Sequence, residues 1–160
     1  MKAKKLVTNA LIAALYAGCT LALAPISYGV MQFRVSEALT LLPFIRKDTI
    51  WGITIGCLRA NLLNPMGVNP LDVVFGTIAT LLAALVTARC KKVWLAAIPP
   101  VVSNGIIIGA MLAFTLTPDA FMASFAAFGL QIALEEAVVC FLLGIPLESL
   151  VRKLGILKKK

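Results

Sequence analysis

Long apolar runs divided by short polar breaks set the pattern of this chain. The runs occupy roughly residues 6–26, 35–45, 50–64, 71–88, 93–116 and 124–151. Between them lie Arg46-Lys47-Asp48, Asn64-Pro65-Met66-Gly67-Val68-Asn69-Pro70, Arg89-Cys90-Lys91-Lys92 and Thr117-Pro118-Asp119, which is the proline, glycine, asparagine and charge chemistry of turns. The pattern predicts an all-α integral membrane protein: one domain over 1–160 with six transmembrane helices. The runs 35–45 and 50–64 are short, since a full crossing takes about 20 residues. The first run follows Lys2, Lys4 and Lys5 as a signal peptide would, but it exceeds the roughly 7–15 residues of a signal core, so it is expected to be the first span.

Composition sharpens the picture. The chain is 61% apolar and 14% charged, against about half and about a quarter in a soluble domain. The bilayer is therefore the expected solvent, and 160 residues leave no room for a separate soluble domain. The net charge of +8 reads as a topology signal, because cytoplasmic loops collect lysine and arginine. Thirteen of the fifteen cations fall in the N-terminal tail, after the second and fourth runs, and at the C-terminus (Arg152, Lys153, Lys158, Lys159, Lys160). That places both termini in the cytoplasm, with Trp51 and Trp94 as headgroup anchors. No basic face with interleaved aromatics exists outside the membrane, so nucleic-acid binding is not expected.

The chain has no histidine, which removes the commonest metal ligand and general base and argues against zinc or Ser/His chemistry. No metal or cofactor is implied, and no enzyme activity. Cys19, Cys57, Cys90 and Cys140 are isolated and read as reduced thiols.

The informative residues are the polar ones at membrane depth, where a charge costs from about 2.5 to more than 10 kcal/mol and must face the bundle interior or a wet cavity. They are Arg34 and Glu37, then Arg59, Asn61 and Asn64, then Asn69 and Asp72, then Ser103 and Asn104, and finally Gln131, Glu135 and Glu136. Each has a plain structural alternative. Arg34 and Glu37 can pair at i, i+3; Arg59 can neutralise Glu135 or Glu136; Asn64 and Asp72 can cap helices beside prolines; Ser103 and Asn104 can be interhelical glue. For Ser36 and Asn69 the structural reading is favoured. Together, Arg34, Glu37, Asn61, Asn64 and Asp72 fall toward the outer face and predict a polar pocket there. Glu135-Glu136 also begins a motif of intramembrane metalloproteases, but those need histidines. Neighbouring helical residues point about 100° apart, so one of the two glutamates should face a given cavity. In the first run Ala10, Ala14 and Gly18 form one row of small residues and Ala13 and Ala17 a second, which lets another helix approach closely.

The stretches Tyr28 to Phe44, Gly56-Cys57-Leu58-Arg59-Ala60-Asn61-Leu62-Leu63 and Leu71 to Leu81 resemble the QueT family over essentially the whole chain. Its members are substrate-binding S components of energy-coupling factor (ECF) transporters, assigned to queuosine precursors. The resemblance implies a six-helix S component that captures its ligand near the outer face, docks on a transmembrane scaffold through small residues of the first helix (here Ala10, Ala13, Ala14 and Ala17), and relies on two cytoplasmic ATPases. No phosphate-binding glycine loop is present, as expected of such a subunit. The implied ligand is a 7-deazaguanine, queuine or its aminomethyl precursor. Its chemistry calls for Glu37, Asp72 and Glu135 or Glu136 as acceptors, Asn61, Asn64, Asn104 or Arg34 as donors, and Tyr28, Phe33 or Phe75 as walls. The competing readings are an S component for another vitamin, a proton-coupled carrier using Glu135 or Glu136, a small lipid-acting enzyme and a purely structural subunit. Against the carrier, no matching halves are visible.

Overall fold

The computed structural model describes residues 2–157, the Lys2 side chain excepted. Of the cations counted above, that side chain and Lys158, Lys159 and Lys160 lie outside the described residues.

Helix α1 (Lys2–Ala22) is about 31 Å long at 1.5 Å per residue. It stops at Leu23, just before Pro25, and α2 (Ala24–Ser27) restarts with that proline in its first turn, where the missing N–H costs nothing. An irregular stretch, with Gly29 at φ +92°, leads to a 3-10 helix (Val35–Leu41) running into α3 (Leu42–Ile45). Seven residues at about 2.0 Å and four at about 1.5 Å span only about 20 Å. A 3-10 turn (Lys47–Thr49) precedes α4 (Ile50–Leu62). A π-helical segment (Asp72–Gly76) continues as α5 (Thr77–Thr87). After α6 (Val93–Ala96) comes α7 (Ile98–Leu116), with Pro99 and Pro100 in its first turn. A 3-10 turn (Pro118–Ala120) then opens α8 (Phe121–Ala137), a second π segment (Val138–Gly144) and α9 (Ile145–Lys153).

Among the described residues, three helical stretches are long and apolar enough to cross a membrane, namely Ala3–Ala22, Val93–Leu116 and Pro118–Lys153. The last has 36 residues and is about 54 Å long, well over the ~30 Å hydrocarbon core, so it must tilt or extend past it. It begins before the expected run at 124, because Pro118 opens the turn that starts the helix.

Two helix pairs organise the packing through missing side chains. A Cβ on Gly109 would lie 2.6 Å from the Cα of Gly129, so α7 and α8 meet backbone to backbone. A Cβ on Gly56 would lie 2.7 Å from Tyr16 Cβ, and Gly52 N–H donates to Asn9 Oδ1 at 2.7 Å, which seats α4 on α1. One apolar cluster gathers Ile12, Tyr16, Ile45 and Ile53 on the α1–α4 side. Another gathers Ala79, Ile108, Met111 and Ile132 on the α7–α8 side.

Charges collect at one end. Lys5 Nζ lies 4.0 Å from Asp48, Arg46 Nε donates to Asp48 Oδ1 at 2.6 Å, and Arg152 pairs with Glu148 while stacking 5.5 Å from the Phe44 ring. These contacts bring the start of α1, the 46–48 turn and the end of α9 together. Arg34 and its neighbours follow the opposite end of α1.

Candidate functional site

A small, partly open cavity, with free room for about one water molecule, lies between the 3-10 segment and the α7–α8 hairpin. A heterocycle enters it only when the lining side chains move apart. Its polar lining is Gln32, Arg34, Glu37, Asn104 and Glu136; its apolar lining is Ile108 and Ile132.

The 3-10 geometry explains how two of these groups come together. In a 3-10 helix residues i and i+3 eclipse, so Arg34, Glu37 and Thr40 share one face; Glu37 N–H donates to Arg34 O at 2.9 Å and Thr40 Oγ1 to Glu37 O at 2.5 Å. Arg34 and Glu37 do not pair with each other, the expected alternative. Arg34 Nε donates to Ser27 O at 3.1 Å and its guanidinium lies 5.5 Å from the Tyr28 ring centre. Tyr28 is in turn tied by its hydroxyl to Ala60 O at 2.6 Å. The Glu37 Oε1 atom accepts from the Tyr16 hydroxyl and from Thr80 Oγ1 at 3.4 Å. Arg34 Nη2 and Glu37 Oε2 are buried and have no hydrogen-bond partner in the protein.

The facing side is simpler. Asn104 Nδ2 donates to Glu136 Oε1 at 2.9 Å, and both residues are buried. Glu136 sits just before the π segment Val138–Gly144; such segments re-aim neighbouring side chains and often occur at functional sites. Glu135 points elsewhere. Its Oε2 accepts from Gln32 N–H at 3.0 Å and its Oε1 from Gln131 Nε2 at 3.0 Å, fastening the stretch before Val35 to α8. The doublet is thus divided as the 100° rotation requires, with Glu136 on the cavity.

Of the other expected site residues, Asn61 and Asp72 are buried outside the lining. Asn61 Nδ2 donates to Asp72 O at 2.9 Å, while Asn61 Oδ1 and Asp72 Oδ1 are unpartnered. Gly76 makes room for this pair, since a Cβ there would lie 2.9 Å from Asn61 Nδ2. Asn64 is taken up by its turn, accepting from Met66 N–H at 2.9 Å, rather than capping a helix. Asn69 likewise accepts from Leu71 N–H, and Ser36 bonds Thr20. None of the three expected aromatic walls lines the cavity: Tyr28 supports Arg34, Phe33 is half-buried in the loop, and Phe75 is 41% exposed. Ile108 and Ile132 form the walls instead, because the α7–α8 hairpin turns its apolar face inward. Arg59 is exposed, and Glu135 and Glu136 bond to amides rather than to it. The alanine rows separate: Ala13 and Ala17 are buried, with Ala13 against Gly56 of α4, whereas Ala10, Ala14 and Gly18 remain exposed.

Sequence reasoning missed Gln32, Thr80 and Tyr16. Of these, Tyr16 carried a signal, as the one residue between Leu6 and Ala24 with a phenol, a group that needs a partner when buried.

Comparison with known proteins adds independent information. A model of the QueT transporter family matches residues 6–153. The chain is also 44% identical, over 82 residues, to a protein of Lactococcus lactis subsp. cremoris (strain MG1363) named queuosine precursor transporter QueT. That alignment covers 50% of this chain and 47% of the relative, so the chain spans about half the length of the curated protein it matches. No solved structure matches.

Proposed function

Because the chain belongs to the QueT transporter family, we propose that it is the substrate-binding membrane subunit of an energy-coupling factor importer. It captures a queuosine precursor, queuine or its aminomethyl-deazaguanine precursor, at the cavity between the 3-10 segment and the α7–α8 hairpin, whose lining opens to admit the ring. The observation that carries this reading is the pair of unpartnered buried atoms on cavity residues, Glu37 Oε2 and Arg34 Nη2. Leaving such atoms unmatched costs about 1–3 kcal/mol each, and a deazaguanine supplies both complements. Its ring N–H and amino group donate to a carboxylate, its carbonyl accepts from a guanidinium, and its cationic amine suits a site with two carboxyl groups and one guanidinium. Ile108 and Ile132 cover the ring faces.

In this reading the six helical blocks cross the membrane, with both termini in the cytoplasm of a prokaryotic cell. The cluster of Lys5, Arg46 and Arg152 at one end supports that orientation, since cations favour the inner side. The cavity then opens toward the outside. The exposed row Ala10, Ala14, Gly18 is the face offered to a transmembrane scaffold driven by two cytoplasmic ATPases. Ala13 and Ala17, engaged with the rest of the bundle, contribute indirectly by fixing the rotation of α1.

The test is calorimetric binding of queuine and of 7-aminomethyl-7-deazaguanine to the purified, detergent-solubilised protein, with guanine and adenine as controls, repeated for Glu37→Gln. Binding of a deazaguanine that the substitution weakens is the expected result. Failure of every deazaguanine to bind, or equal binding by the variant, overturns the reading.

A further inference from the structure

The acceptor on the cavity floor is not free to turn. One oxygen of Glu37 is held by the Tyr16 hydroxyl of α1, by a direct hydrogen bond; Thr80 Oγ1 on α5 stands 3.4 Å from the same oxygen and 3.3 Å from Cys57 Sγ, with one proton to share between them. The backbone of Glu37 is separately held by Thr40. The other carboxyl oxygen, Oε2, has no protein partner. Tyr16 itself is fully buried and does not line the cavity. It reaches Glu37 only because Gly56 has no Cβ, which would stand 2.7 Å from Tyr16 Cβ. A buried phenol needs a hydrogen-bond partner, and a carboxylate with a donor on one oxygen loses the freedom to exchange its two oxygens or to swing away.

We infer that Tyr16 is a positioning residue for ligand recognition: its hydroxyl holds Glu37 Oε1 so that Oε2 faces the cavity as a pre-aimed acceptor for an N–H donor of the ligand. The inference rests on the ligand site proposed above. It assigns a recognition role to a side chain on the first helix that never touches the ligand. Removing the hydroxyl leaves the apolar packing of the ring in place and frees Glu37 to reorient, so the loss falls on ligands that donate to Oε2.

The experiment is a double-mutant cycle on the purified full chain, with 7-aminomethyl-7-deazaguanine as the probe and calorimetric Kd as the readout, for wild type, Tyr16→Phe, Glu37→Gln and the double variant. A hydrogen bond to a charged group is worth roughly tenfold or more in affinity. Tyr16→Phe is therefore expected to weaken binding about tenfold, with the double variant within about twofold of Glu37→Gln alone. Losses that multiply, or an unchanged Kd in Tyr16→Phe while Glu37→Gln binds poorly, would reduce Tyr16 to packing. Wild-type binding by Glu37→Gln would instead remove the ligand site itself. If Tyr16→Phe fails to fold, 3,5-difluorotyrosine at position 16 keeps the ring and the hydroxyl and makes the phenol a stronger acid and donor. It should then change Kd in the wild-type background and leave Glu37→Gln unaffected, and equal effects in both backgrounds count against the inference.

Discussion

On the cavity flank formed by α1, α5 and the 3-10 segment, polar side chains are held from several helices: Glu37 by Tyr16, Thr80 and Thr40, and Arg34 by Ser27 and the Tyr28 ring. On the opposite flank, α7 and α8 contribute the walls Ile108 and Ile132 and one amide–carboxyl pair, Asn104 with Glu136. The first flank is built to aim groups and the second to enclose them. The difference follows from backbone form. A short 3-10 helix stacks every third side chain on one face, whereas two long α-helices joined through Gly105, Gly109 and Gly129 form a rigid apolar surface.

Substitutions should separate the two flanks. The largest effect is expected from Gly109→Val, because its side chain would have to occupy the space of the Gly129 backbone. The α7–α8 hairpin should come apart, giving loss of monodisperse protein on size-exclusion chromatography, and a well-behaved variant would show that the enclosing flank is not rigid. Next is Arg34→Gln, which removes the unpartnered donor on the aiming flank. We expect ligand affinity to fall roughly 10–150-fold, from about 1.5–3 kcal/mol for a charged hydrogen bond, together with a lower Tm, because the bond to Ser27 O and the contact with the Tyr28 ring are lost as well. Ile132→Ala should act mainly on stability. A buried isoleucine truncation costs about 2–5 kcal/mol of stability, read as a lower Tm, while the preference for deazaguanine over adenine is kept. A loss of that preference would mean that the enclosing flank also selects. Glu135→Gln, which alters the tie between Gln32 and α8, should change affinity less than Glu136→Gln does. The smallest effect is expected from Phe75→Ala, whose side chain is exposed and outside the lining; binding should stay within about twofold, the scale of a surface change.

How much of this was legible beforehand depends on the kind of residue. Arg34, Glu37, Asn104 and Glu136 stand out in any reading of the chain, because charged and amide groups inside apolar runs are expensive and must have a reason. Tyr16 and Thr80 did not stand out, since a phenol or hydroxyl in an apolar helix is ordinary until its partner is known. The aromatic walls were misplaced for a related reason. Composition says which side chains could cover a ring, and only helix rotation says which ones turn inward. The 100° step between Glu135 and Glu136 predicted that they would divide, but not which would line the cavity.

Residue order alone establishes that the chain is helical and apolar beyond what a water-soluble fold of 160 residues could hide, where its polar breaks fall, and which few polar groups need explaining. These are properties of local composition and period, and each run of residues carries them independently of the others. It took the packed fold to bring Arg34 and Glu37 to Asn104 and Glu136 around one cavity, to turn Ala13 inward and leave Ala14 outside, and to set a tyrosine of the first helix against a glutamate of the next segment. Those facts depend on the rotation and close approach of helices far apart in the chain, set by which glycines allow backbones to touch and by where 3-10 and π turns shift the register.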